Sequence, residues 1–371
     1  MIKLFQLNPE YSKRVFGLDL MRALAIIFVV MGHGGWILNK THSGFPWIRL
    51  IDGVELFFVL SGFLIGGILI KIFIATESPG LRTIWNFWIR RWLRTLPNYY
   101  LILLLNVAFV YYGVINQDIS QFNWKFFLFL QNFSGPFYDF FWESWSLSIE
   151  EWFYLLFPIT LGGFYLALKG MAVSKKSIFL FSILLFLLVP FLLRIFIASE
   201  FDVDRFWLGV RINKVVIFRL DGIALGLFAA FVKYWYPSIW TKGRNVTFIL
   251  GIVLSYAVLY SNWPPNEFST KVLKIFIQGI GCVLLLPKFD SMKSAPPRLT
   301  KAITHVSLIS YSMYLINLAL VSSVIRDNFP PSDASSAWTV YLLYWAIVLV
   351  VSTLLFKYFE KPVMDLRDKL G

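Results

Sequence analysis

One cysteine, Cys282, and three histidines are all that 371 residues contain of the two commonest ligands of structural zinc. A single thiol closes no intramolecular disulfide, and no Cys/His cluster with metal-ligand spacing exists, so a disulfide scaffold and a structural zinc site are both excluded. Charge is scarce as well, with Asp, Glu, Lys and Arg making up 15% of the chain. The first residues, MIKLFQLNPEYSKR, are polar and mixed in charge. They lack the short apolar stretch and small-residue cleavage site of a signal peptide. No low-complexity tract or repeat at a solenoid period is present. What abounds is apolar surface: 58% of residues are hydrophobic and the mean hydropathy is +0.68. One soluble core cannot hide that much, which excludes a cytosolic globular fold and predicts an all-α, polytopic integral membrane protein.

A bilayer core of ~30 Å needs ~20 mainly apolar residues per helix. About ten runs of that kind stand out, over 17–37, 53–73, 97–115, 144–168, 177–198, 217–235, 245–261, 272–287, 303–324 and 338–357. No segment between them is long enough for a separate domain, so residues 1–371 read as one transmembrane unit. The formal net charge of +13 would suggest a nucleic-acid partner in a soluble protein. In a membrane protein it records topology. Assigning alternate loops to alternate faces puts 23 of the 34 basic residues on the face that holds both termini, and 14 of the 21 acidic residues on the other. By the positive-inside rule both termini are expected to be cytoplasmic.

Ionisable groups within apolar runs mark function unless they reach an interface. Arg22 and His33 lie eleven residues apart, close to three turns, so they share a helix face with His33 ~16 Å further along; Asp19 is one turn below Arg22. His33 is then either a mid-membrane functional imidazole or a histidine near the external helix end, wet or bonded to backbone. Asp19 and Arg22 read equally as a helix-start cap and a snorkelling anchor. In ESWSLSIEEWFYLLFP, Glu150 shares i, i+3, i+4, i+7 spacing with Phe153, Tyr154 and Phe157, a carboxylate beside an aromatic wall that suits sugar or proton handling. Glu143 flanks that run, and Glu151 reads as the wet edge of an interfacial aromatic belt. Arg91 and Arg94, with Arg90, precede the third run, where Pro97 sits near its first turn. At i and i+3 the two can grip a polyphosphate, although a positive-inside anchor explains them too. Asp52 and Glu55 are expected at the outer mouth, and Ser61, Gly62, Gly66 and Gly67 to permit close helix packing. Arg219 and Asp221, two residues apart, face different ways and need different partners. His42, in an external loop, and His305, at a cytoplasmic helix start, are not expected to be catalytic.

Seven segments, in order, resemble the membrane-bound acyltransferase-3 family: LDLMRALAIIFVVMGH, GVELFFVLSGFLI, RRWLRTLPNYY, WSLSIEEWFYLLFP, FRLDGIALG, ISYSMYLIN and YFEKPV. They run from Leu18 to about Val363. The resemblance implies transfer of an acyl group, most often acetyl, from cytoplasmic acyl-CoA to a hydroxyl of an envelope or secreted glycan, in a multi-pass protein of the bacterial inner membrane. It casts His33 as general base and Glu150 as the group that orients the acceptor or polarises the site. Arg22, Arg91 and Arg94 become a cytoplasmic cationic mouth for the CoA phosphates. Asp19, Glu55, Trp145, Ser146, Tyr154 and Asp221 become acceptor contacts or supports of the site, with membrane lipids around the whole and no metal required. Two departures stand out. Asn317 occupies a place where many relatives have histidine, and no stretch after YFEKPV could form the esterase-like domain fused to some members, so any such partner is expected as a separate extracytoplasmic protein. A transporter or flippase of a glycan or lipid-linked sugar is the alternative from another class, weakened by the lack of paired internal repeats; a catalytically silent scaffold is a third.

Overall fold

The computed structural model describes residues 7, 9, 11, 14–39, 51–75, 81–136, 139–200, 202 and 204–370, which contain helices and no strand. His42 lies outside these residues. The helices are α1 (Phe16–Asn39), α2 (Gly53–Ala75), α3 (Leu81–Tyr111), α4 (Ser144–Leu168), α5 (Lys175–Ala198), α6 (Arg205–Leu208) and α7 (Leu220–Trp235). They continue as α8 (Pro237–Lys242), α9 (Arg244–Tyr260), α10 (Lys274–Ser291), α11 (Pro297–Ile316), α12 (Ser323–Asn328), α13 (Ala334–Leu355) and α14 (Lys361–Leu370). Eight helical runs among the described residues are long and apolar enough to cross a membrane. The chain is therefore a multi-pass integral membrane protein. The remaining two expected runs are also helical but shorter, α9 with 17 residues and α7 with 16.

Elements begin where the sequence supplies caps. The Asp52 carboxylate accepts the backbone N–H groups of Val54 and Glu55 at 2.9 and 3.1 Å, so this expected outer-mouth acid caps α2. Asp333 and Ser336 form a capping box on α13, and Pro297 opens α11. The largest departure is α3, which begins sixteen residues before Pro97 and carries that proline inside the helix. The run of mixed basic and aromatic residues before Pro97 is helical too, because Trp88, Thr95 and Asn98 all find partners on neighbouring helices. π-helical turns occupy 209–213, 269–273, 317–322 and 356–360. His305 lies well inside α11, where its Nε2 meets the Thr353 hydroxyl at 3.1 Å, and is not at a helix start.

Two apolar cores form, one built on α2, α4, α5, α7 and α10, the other on α1, α3, α11 and α13. Val54, Phe57, Trp145 and Trp152 pack against both and mark the seam between them. The first core depends on the close approach of α2 and α7. A Cβ on Gly62 would collide with the Ile223 carbonyl oxygen, and one on Gly226 with that of Val59. Gly66 is similarly crowded by Ala230, whereas Gly67 has open space around it, so the packing role expected of the small residues belongs to Gly62 and Gly66. Buried ion pairs join the same helices. Arg194, wholly buried on α5, holds Asp221 at 2.5 Å, and Arg219 pairs with Glu55 on α2. Arg219 and Asp221 thus take different partners, as their spacing requires.

Gly226→Val is expected to lower stability by at least about 1–3 kcal/mol through overpacking against backbone. Gly67→Val should stay within about 0.5 kcal/mol of the parent. Thermal midpoints of the two variants in the same detergent, compared with the parent, provide the check.

Candidate functional site

A cavity of about 570 Å³ opens along the seam between the cores. One stripe of α2 forms a wall of it: Val54, Phe57, Phe58, Leu60, Ser61, Leu64, Ile65, Ile68 and Lys71. At 1.5 Å per residue the stripe is ~26 Å long, close to the ~30 Å of a bilayer's apolar core. The facing wall comes from Arg22 of α1, Arg91, Arg94 and Thr95 of α3, Ser146, Leu147, Glu150 and Tyr154 of α4, and Ser310, Tyr311 and Tyr314 of α11.

Hydrogen bonds set the order of groups along this axis. The Tyr154 hydroxyl donates to Glu150 Oε2 at 3.2 Å and shares a short hydrogen bond with Ser61 Oγ, so these three residues lie at one level. Ser61 is ten residues, or ~15 Å, from Lys71, and Tyr154 is eight residues, or ~12 Å, from Ser146. On α3, Trp88 donates to the Tyr154 carbonyl at 3.0 Å and Thr95 to Glu151 at 2.6 Å, which sets Arg91 and Arg94 at the same level. The three arginines, Glu150, Tyr154 and Ser61 therefore form a polar belt partway along the cavity. Lys71 lies at one end, and Ser146 and Tyr314, joined at 2.5 Å, at the other.

This differs from the expected segregation of a cationic mouth on one face and an acidic mouth on the other. Arg91 and Arg94 sit well inside α3 because that helix starts early, and Glu150 is already six residues into α4. Phe153 and Phe157 leave the face that Glu150 and Tyr154 share and pack against Phe186 of α5. Glu151, expected at a wet edge, is buried against Thr95. Arg90 is exposed and off the cavity.

The belt is held from behind. Asp19 accepts from Arg14 Nε and Nη2 at 2.7 and 2.5 Å and from the Ser307 hydroxyl at 2.8 Å, whereas Arg22 approaches it only to 3.9 Å. Asp19 therefore fastens α1 to α11 while the Arg22 side chain lines the cavity. The Tyr311 hydroxyl donates to the Thr95 carbonyl at 2.8 Å, and Asn98 donates to Glu360, which also accepts from Ser312 at 2.6 Å. These contacts fix α3 against α11 and the π turn 356–360, at the cavity wall through Tyr311 and behind it through Asn98. Trp145 lies behind Phe58, edge to face at 5.9 Å, with the Arg219 guanidinium over both rings.

Among the expected residues the structure thus brings Arg22, Arg91, Arg94, Ser146, Glu150 and Tyr154 to one cavity, and sets Asp19, Glu55, Trp145 and Asp221 in its support. His33 does not line the cavity. It lies six residues from the C-terminal end of α1, as Arg22 lies six from the N-terminal end, and its Nδ1 is 2.6 Å from Asn317 Oδ1. Asn317 in turn donates to the carbonyl of Tyr314, a cavity residue, at 2.7 Å, so one side chain separates His33 from the wall. Lys71, Ser61, Thr95, Ser310, Tyr311 and Tyr314 were not singled out as ligand contacts in the sequence. The polar residues of ISYSMYLIN, out of place in an apolar run, were the available signal for the last three.

The described helices thus form a membrane bundle with a polar belt of arginines, a carboxylate and hydroxyls inside a long, mainly apolar cavity. Residues 15–357 match the acyltransferase-3 family, described as an acyltransferase domain, and the chain belongs to that family. It is 27% identical over 381 residues to "Peptidoglycan O-acetyltransferase OatA" of Listeria monocytogenes, covering 96% of this chain and 57% of that protein. It is 26% identical over 386 residues to a Staphylococcus aureus protein named "Putative O-acetyltransferase", covering 95% of this chain and 58% of the relative. The chain spans a little over half the length of these curated relatives. No solved structure matches it.

Cys282 is buried and provides a silent background for cysteine probes. Lys71→Cys and Ser61→Cys are expected to react with a water-soluble maleimide in proteoliposomes while the parent chain stays unlabelled. No labelling at position 61 from either side of the bilayer would contradict a solvent-connected cavity.

Proposed function

We propose that the chain transfers an acyl group, acetyl in the simplest case, from acyl-CoA to a hydroxyl of a cell-envelope glycan. The observation that carries this reading is a cavity running nearly the depth of an apolar layer, with three arginines partway along it. Arginine forks match phosphate oxygens bidentately, and an apolar surround strengthens each contact. Arg22, Arg91 and Arg94 hold the CoA pyrophosphate, with the nucleotide toward Lys71. The pantetheine arm extends the other way, past Leu60 and Phe57. From Arg22 to His33 the rise along α1 is ~16 Å, a distance of the order of that extended arm.

The acceptor enters from the end lined by Ser146, Tyr314 and Phe57. His33, one side chain behind the wall, serves as general base when the wall at Tyr314 opens to the substrates: it removes the acceptor hydroxyl proton as the oxygen attacks the thioester carbonyl. The C–S bond then breaks and the imidazolium returns the proton to the departing thiolate of CoA. Glu150, tied through Tyr154 to Ser61, orients groups in the belt. The relatives' names favour a peptidoglycan-like acceptor, and the excess of basic residues on one face favours donor entry from the cytoplasm.

In proteoliposomes supplied with acetyl-CoA and glycan strands, His33→Ala is expected to abolish acetyl transfer while the protein remains inserted. Arg91→Ala and Arg94→Ala should each raise KM for acetyl-CoA about 10–100-fold, the loss of one charge-assisted phosphate contact worth ~1.5–3 kcal/mol. Mass spectrometry of surface glycans from cells with and without the gene tests the acceptor. Unchanged acylation of every envelope glycan and secreted product would count against the enzyme reading.

A further inference from the structure

His33 and Asn317 together carry more information than either alone. Asn317 opens the π-helical turn 317–322, and its Nδ2 donates to two backbone carbonyls, Met313 at 2.8 Å and Tyr314 at 2.7 Å. Those two bonds fix which way the amide points, because the flipped amide would set its oxygen against two carbonyl oxygens. Asn317 Oδ1 therefore faces His33 Nδ1, at 2.6 Å. An amide oxygen has no proton to give, so the proton of this bond belongs to the imidazole.

The surrounding contacts hold the pair in place. Trp36 donates to the Ser322 hydroxyl at 2.9 Å, which reaches the His33 carbonyl at 3.4 Å. On the other side of the turn, the Glu143 carboxylate accepts the Ala319 N–H at 2.7 Å. The π turn is thus fastened at Ser322 to α1 and at Ala319 to the residue that precedes α4, and Asn317 is wholly buried.

We infer that Asn317 is a positioning residue that holds neutral His33 as its Nδ1–H tautomer, making Nε2 the nitrogen that accepts the acceptor's proton. This rests on His33 serving as the base. Nδ1 keeps its proton throughout: the acceptor O–H proton moves to Nε2, the acyl C–O bond forms, the C–S bond breaks, and the Nε2 proton passes to the CoA thiolate. A base held in the wrong tautomer presents a donor where a lone pair is required, which can cost up to ~10⁴-fold in rate.

The test uses the full chain labelled with ¹⁵N-histidine in lipid nanodiscs, at a pH where imidazole is neutral. With three histidines in the sequence, His42→Gln and His305→Gln assign the spectrum. Long-range ¹⁵N–¹H correlations of the parent are expected to show His33 protonated at Nδ1 and bare at Nε2. In Asn317→Leu that pattern should be lost, with kcat for acetyl transfer reduced at least about tenfold and KM for acetyl-CoA within about twofold. An Nε2-protonated His33 in the parent overturns the tautomer assignment, and parental kcat in Asn317→Leu overturns the positioning role. Retained transfer by His33→Ala is a separate failure, that of the base itself, and it leaves the spectrum of the parent unchanged.

Discussion

The pairing of Arg219 with Glu55 is the contact on which most of the architecture turns. Charges within an apolar layer persist when each has a partner, and removing one partner from a buried pair costs ~3–5 kcal/mol. Arg219 stands at the start of α7 and Glu55 in the first turn of α2, and two residues on, Asp221 is bound by the wholly buried Arg194 of α5. Three helices are thereby fixed near the same end. From that point α2 and α7 run side by side, so closely that glycine is required at positions 62 and 226. With one face of α2 committed to α7, its other face forms the cavity wall from Val54 to Lys71.

The belt follows from the same economy of polar groups. Asp19 and Glu360 are buried carboxylates that do not line the cavity; Asp19 gathers donors from Arg14, ahead of α1, and from α11, and Glu360 from α3 and α11. They fasten α1 to α11 and α11 to α3. The arginines that line the cavity are thus mounted on helices whose reverse sides are hydrogen-bonded in place.

What the sequence disclosed depended on whether a signal was local. Helical runs, the divergent partners of Arg219 and Asp221, and the shared face of Arg91 and Arg94 all follow from periodicity within one element. Glu151 shows the opposite case. Beside an aromatic belt, a carboxylate at a helix start reads as wet, and only the approach of Thr95 from α3 buries it. The early start of α3 was hidden by its arginines and by Pro97, since polar and aromatic residues interrupt the apolar run without interrupting the helix. Asn317 stood out as a departure from the family pattern, yet its engagement with a histidine 284 residues earlier in the chain is tertiary information. The π turns were likewise invisible, because a single wide turn leaves no mark on apolar spacing.

The length of the cavity has a consequence for the cell. A passage running ~26 Å through a ~30 Å apolar layer leaves little protein to separate two aqueous compartments. At its far end Tyr314 is bonded to Ser146 and meets Phe57 edge to face at 6.4 Å, joining α11, α4 and α2. Those side chains, together with any ligand filling the cavity, must carry the permeability barrier. The proposed hand-over of an acyl group across the layer needs no lipid-soluble carrier, but it requires that the ion gradient that energises the membrane not drain through the same opening.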